Sequence, residues 1–347
     1  MKNLLSTLAL LCILAISADA TVWTVSNDSK APAQYNSVNA AIQAASNGDT
    51  ILVYGSSNSY GTVDVDRQIV LIGAGYNNPY GPNSSLSRLN LNDGAGALSA
   101  SNTKVSGFAI GSLYFNGSGL LEGVLVERCS FGVIYFYNSV VYRNDTIRNC
   151  LLRDNEIRFY RGTYENVQLH NNIFDNISIN TWSGARSIDS TYIRNCVFVH
   201  RGSNVFANVL DLVIENSIFY AAEPQGCTNC AFNHNMTYLN INNQLVGSTG
   251  NPGSVGSGNY EDEDPQFVTF PTGGGAFQYS HDLNVQNPHA VNGGTDNTDM
   301  GIHGGLLPYT PGANPSIPQM TEISFPDGSS VKVGGTLDVT FKAKKQD

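Results

Sequence analysis

Three side chains near the middle of the chain, Arg153, His170 and Asp175, have the types that proton transfer requires. A carboxyl group and an imidazole can exchange protons near neutral pH, and a guanidinium can hold an acidic substrate beside them. His170 shares a repeat position with Arg148 and Arg194. Two neighbouring cations favour its neutral form, the form that accepts a proton. Asp154, Glu156 and Asp189 lie within reach of this group. The same residues also read without chemistry. Ser106, Glu127, Arg148, His170, Arg194 and Glu215 then form one solvated, charged column, and Arg153 with Asp175 is a surface ion pair worth at most about 1 kcal/mol.

A second group, Tyr135, Tyr137, Arg158, Tyr160 and Trp182, suits carbohydrate. Flat rings stack on sugar faces, and arginine pairs with sugar carboxylates. The alternative is that large aromatic residues simply fit an exposed β surface. The run Glu261-Asp262-Glu263-Asp264 offers the oxygen ligands Ca²⁺ prefers, but successive carboxylates of an extended chain point to alternate sides and Pro265 marks a turn, so no metal site is assigned. Cys227-Thr228-Asn229-Cys230 reads as a local disulfide, because the second cysteine pair of a four-thiolate zinc site is missing nearby. Cys129, Cys150 and Cys196 share one repeat position and are expected as packed free thiols, with a Cys129–Cys150 disulfide as the alternative.

All of these positions depend on a repeat. Six segments begin at Val105, Val126, Ile147, Leu169, Ile193 and Ile214 and share the order apolar, polar, Asn or a replacement, Cys or a small residue, apolar, Phe or another apolar residue. This period of about 21 residues is too short for a strand plus a crossover helix, and its residues are β-branched and aromatic, so each repeat is expected to be one coil of an all-β solenoid. Stacked coils bring equivalent residues to about 4.8 Å from one another. The first and last positions of each segment, Val105 to Ile214 and Ile110 to Phe219, then become interior files. Asn149, Asn171, Asn195 and Asn216 become a ladder at a bend, with each amide bonding its neighbours in the column. A second strand per coil is expected at 134–137, 157–160 and 177–180, with Ile134/Phe136, Ile157/Phe159 and Ile177/Ile179 inward.

Open coils need caps. Ser37 to Ser46 reads as a short amphipathic helix with Ser37 as N-cap and Asn47-Gly48-Asp49 as its stop. Residues 259–268 and 292–305 read as closing coils, with His303 in a structural turn. The expected organisation is a signal peptide over 1–20, the solenoid over 21–305, a Pro/Gly-rich linker over 306–318 and a short β appendage over 319–347. Lys2, the apolar stretch from Leu8 to Ile16 and Ala18-Asp19-Ala20 carry the export reading. No later segment approaches a transmembrane helix. A net charge of −10, with only 18 Lys+Arg against 28 Asp+Glu, argues against nucleic acid as a partner.

The capping helix before Asn-Gly-Asp-Thr, the apolar-x-Asn-Cys-apolar-Phe coils, Asp264-Pro265-Gln266-Phe267 and Asp299-Met300-Gly301-Ile302-His303-Gly304-Gly305 resemble secreted bacterial right-handed parallel β-helix proteins of the pectate-lyase-like superfamily. The resemblance spans roughly residues 22 to 310 and implies the fold more firmly than an activity. It also implies what an enzyme would need. Hydrolases of this fold carry adjacent aspartates and a Gly-His-Gly segment on central coils, and neither occurs between Val105 and Phe219. Lyases place carboxylates around Ca²⁺ with an Arg or Lys to take the uronate proton, a role that would fall to Arg153, with His170 and Asp175 beside it. The expected function is therefore an exported extracellular or cell-surface β-helix, noncatalytic and glycan-binding, adhesive or structural, without a cofactor. A polysaccharide or surface glycan is the expected partner. The alternative is a polysaccharide lyase acting on acidic polysaccharide from the outer wall, with Ca²⁺.

Overall fold

The structure, a computed structural model, describes residues 20–79, 81–93, 98–138, 140–182, 184, 186–310, 319–324 and 335–344. Residues 1–19 of the expected signal peptide, 311–318 of the expected linker and parts of the appendage lie outside them.

The chain winds as a parallel β-solenoid. One wall is a ten-stranded sheet that begins at Val22–Val25 and ends at Ala231–Asn233, each coil adding one strand. Along it Val105, Val126, Ile147, Leu169, Ile193 and Ile214 stand in register as a single interior file. Alternation along each strand explains why: one side chain enters the core while its two neighbours face outward.

A twelve-stranded sheet supplies the facing walls. Its second interior file runs Ile110, Phe131, Leu152, Phe174, Phe198, Phe219. Phe198 lies between Phe174 and Phe219 with ring centroids at 4.5 and 4.6 Å, so the coil spacing doubles as a ring-stacking spacing. A third file stacks Phe115, Phe136 and Phe159 at 4.6 and 4.8 Å. Strands Ala109–Asn116 and Ser130–Phe136 run unbroken through both halves of this sheet. The next two coils break between the halves at a left-handed residue, Asp154 or Asn176, whereas strands Val197–Arg201 and Ile218–Ala222 carry theirs, His200 and Ala221, within the strand.

The expected second strand needs one correction. Ile157 pairs with Ile179, not Ile177, and the strand is Ser178–Thr181. The shift is two residues, so the outward-facing set keeps its face, and Asn180 stands beside Arg158 and Tyr135.

At the N-terminal end the helix Val38–Ala44 buries Val38, Ala41 and Ile42 over the first coils. Ser37 holds the N-cap place without a side-chain capping bond. The other end is capped from a distance: Arg67 Nη1 donates to Ala45 O at 2.9 Å and Gln43 O at 3.3 Å. Asp49, expected only as part of the helix stop, ties the end together by accepting from Thr21 N, Trp23 Nε1 and Ser46 N.

The C-terminal third differs most from expectation. Val255 and Tyr260 bridge to Ala231 and Met236, so a coil does follow the last strand of the ten-stranded wall. Residues 264–309 then leave the stack and run back along its outside. The return path is written in the asparagine ladder. Asn216 binds Thr295 through both amide atoms, Asn195 Nδ2 donates to Asp299 O, and Asn171 Nδ2 donates to Ile302 O and Gly304 O at 2.9 and 2.8 Å. Asn149 Nδ2 reaches Leu307 O, and the Tyr309 hydroxyl meets that of Tyr76 at 2.7 Å. Residues 292–305 are thus a strap, not a closing coil, and these amides bond the strap rather than one another. The four asparagines do take the left-handed backbone expected of a bend, with φ of 53, 54, 50 and 53°.

The strap covers a second apolar cluster. Leu151, Ile173, Val197, Ile218 and Met236 face outward from successive coils and are buried under Phe277, Leu283, Val285, Ala290, Met300 and Ile302.

Candidate functional site

Register alone brings Arg153 and Asp175 together, as Cα partners on neighbouring strands. Arg153 Nε stands 3.3 Å from Asp175 Oδ2, yet this is no surface pair, because Asp175 is only 2 % exposed. The strap explains both facts. Phe277 donates its N–H to Asp175 Oδ2 at 3.0 Å and its carbonyl accepts Arg153 Nη2 at 2.6 Å, so the ion pair grips both polar atoms of one peptide-chain residue. His200 Nδ1 lies 3.5 Å from Asp175 Oδ1. Burial raises the Asp175 carboxyl above its ordinary value, while the Phe277 bond and the Arg153 and His200 charges oppose the shift.

His170 does not join this pair. It sits on the ten-stranded wall between Arg148 and Arg194, and its Nδ1 is 3.1 Å from Asn171 Oδ1. Burial lowers its pKa, and the two arginines add to the effect. The rest of that column is paired: Arg148 and Lys104 with Glu127, and Arg194 with Glu215.

The expected aromatic residues do form one surface. Tyr137, Tyr160 and Trp182 follow one another with centroids at 4.7 and 5.3 Å. Tyr135 stands beside Tyr160 at 6.1 Å, and the Arg158 guanidinium lies over both Trp182 and Tyr135, held from the other side by Glu156. Tyr114 extends the surface by one coil, 4.8 Å from Tyr135, with Arg88 over its ring. Sequence reasoning missed Tyr114, although Leu113-Tyr114-Phe115 alternates as Ile134-Tyr135-Phe136 does. Beside these rings runs an open groove of about 710 Å³ lined by Gly117, Ser118, Tyr137, Asn138, Tyr160, Arg161 and Trp182. Trp182 and Tyr137 are 47 and 39 % exposed to solvent.

Cys227 and Cys230 are joined as a disulfide, and Cys129, Cys150 and Cys196 are buried free thiols. The carboxylates of the acidic run turn to separate partners: Glu261 to Leu245 N, Asp262 to Asn243, Glu263 to Asn287 and His289, Asp264 to Gln266 N. Among the described residues no group of three or more His, Cys, Asp and Glu is placed to hold a metal ion, and no helix is long and apolar enough to cross a membrane.

No protein-family model matches the chain, and no curated protein is significantly similar to it. The solenoid architecture and the geometry of its surfaces therefore carry the functional argument.

Proposed function

We propose that this is an exported, noncatalytic β-solenoid that binds a polysaccharide along the groove beside Tyr137, Tyr160 and Trp182. The observation that carries the reading is the aromatic column itself. One aromatic side chain stands on each coil, with ring centroids 4.7 and 5.3 Å apart, so a glycan lying along the solenoid axis meets an aromatic contact at every coil it crosses. Ser118, Asn138 and Arg161 in the same groove offer hydroxyl, amide and guanidinium groups to sugar hydroxyls and carboxylates. The groove volume falls inside the range of about 300–1,000 Å³ usual for ligand sites. The Cys227–Cys230 disulfide supports export, because such bonds persist in oxidising compartments.

A lyase site at Arg153 and Asp175 is the weaker reading, since both side chains are engaged by Phe277. A glycan array probed with the full chain, followed by titration of the polysaccharide that binds, tests the proposal. Trp182→Ala is expected to weaken that binding at least tenfold. An array without a binder, or a Trp182→Ala variant that binds as the parent does, contradicts it. New absorbance from unsaturated uronate on incubation with acidic polysaccharide and Ca²⁺ would favour the lyase.

A further inference from the structure

The strap does more than cover apolar side chains. Between residues 277–284, residues 302–309 and the solenoid it encloses a cavity of about 230 Å³ lined by Phe277, Tyr279, Asp282, His303 and Tyr309 over a floor that includes Ile173. It is separate from the aromatic groove and shares no lining residue with it.

We propose that this cavity is a binding site for a single neutral monosaccharide. Three observations point to a small ring-shaped ligand with both apolar faces and hydroxyl edges. The first is size: the volume lies below the roughly 300 Å³ at which drug-sized sites begin, which suits one sugar ring. The second is the mixture of walls. Phe277, Tyr279 and Tyr309 supply ring surface, and Asp282, Asn284, His281 and His303 supply hydrogen-bonding groups. The third is that two of these groups are available. The His303 ring has no hydrogen-bond partner among the described residues, although it is only partly exposed. Asp282 accepts from Asn284 N and Nδ2 through Oδ1 alone, leaving Oδ2 for a ligand hydroxyl.

Charge narrows the ligand further. Asp282 is held below the usual carboxylate range by its bonds from Asn284, and burial lowers the His303 pKa, which favours the neutral ring. No lysine or arginine lines the cavity, so an acidic sugar would meet an uncompensated carboxylate.

The walls are also preorganised. Arg153 lies over the Tyr279 ring at 5.3 Å and over Phe277 at 5.8 Å, Tyr76 flanks Tyr279 at 6.1 Å, and the Tyr309 hydroxyl is fixed on Tyr76. The Arg153–Asp175 pair thus acts as a positioning device for this cavity through its grip on Phe277.

The test is an NMR titration of the full chain with glucose, galactose, mannose and N-acetylglucosamine, following the His281 and His303 ring protons. At least one sugar is expected to bind with a millimolar or tighter Kd and to shift both sets of signals. His303→Phe breaks no intramolecular hydrogen bond, and Asp282→Asn keeps the side chain's shape. Each is expected to weaken binding at least tenfold, whereas Ile241→Ala, at an exposed site outside the cavity, leaves it unchanged. If no sugar binds, if the histidine signals stay still, or if either cavity variant binds as the parent does, the proposal is overturned.

Discussion

Asp175 and Phe277 are 102 residues apart in sequence, yet the Phe277 N–H donates to the Asp175 carboxylate at 3.0 Å within a buried cluster. This bond joins the two halves of the molecule's design, a stack of coils and a strap that returns along it. Asp175→Ala leaves that N–H without its acceptor and Arg153 without its counter-ion. A loss of about 1–3 kcal/mol in chemical denaturation is expected, together with faster proteolytic cleavage within residues 264–284. Asp175→Asn retains an acceptor and is expected to lose less.

The asparagine ladder makes a second, separable prediction. Asn171→Gly keeps the left-handed backbone but removes both bonds to the strap, at Ile302 O and Gly304 O. Asn144 shares that backbone conformation, and among the described residues its side-chain amide hydrogen-bonds only Asn166. Asn171→Gly is expected to cost about 1–3 kcal/mol and Asn144→Gly markedly less, measured as urea midpoints.

Much of this architecture was legible in the sequence, and the failures are instructive. The interior files from Val105 to Ile214 and from Ile110 to Phe219 could be read because burial on one side of a strand enforces strict alternation. The strap was missed because its own residues carry no period. Its trace lay in the solenoid instead: the fifth repeat position is Ala109 and Ser130 in early coils but Leu151, Ile173, Val197 and Ile218 later, an outward apolar column that needs a cover. Arg153 and Asp175 were correctly paired, since register follows from the repeat. Their burial depended on a segment more than a hundred residues away, which no local pattern reveals.

Phe198 is buried and stacks between Phe174 and Phe219. Phe198→Ala is expected to destabilise the protein by about 3–5 kcal/mol, read from the shift in denaturation midpoint.

Asp145 gives the stability a pH dependence. It is fully buried, accepts from Val124 N at 2.9 Å through Oδ1, and has no partner for Oδ2. Burial pushes its carboxyl up to about 8. The folded state therefore holds a proton that the unfolded chain, with an ordinary carboxyl near 3.8, has already released. Its contribution is fully present below that lower value, is lost as pH rises toward about 8, and levels off above it. Asp145→Asn cannot ionise. The variant is expected to gain on the parent in denaturation midpoint between pH 5 and pH 9, and a constant difference across that range would contradict the assignment.

The account rests on equivalent residues of successive coils being neighbours in space, in the register found for the aromatic wall. Paired cysteines report this directly. Glu156 and Ser178 are Cα partners on adjacent parallel strands, whereas Asn176, two residues earlier, lies outside the paired segment. In-register Cα atoms, about 4.8 Å apart, fall within the roughly 4.4–6.8 Å span of a disulfide. Mild oxidation followed by peptide mapping is expected to cross-link the Glu156→Cys/Ser178→Cys variant and to leave Glu156→Cys/Asn176→Cys as free thiols. Cross-linking of the second pair without the first would contradict the register, and with it the wall on which the proposed glycan lies.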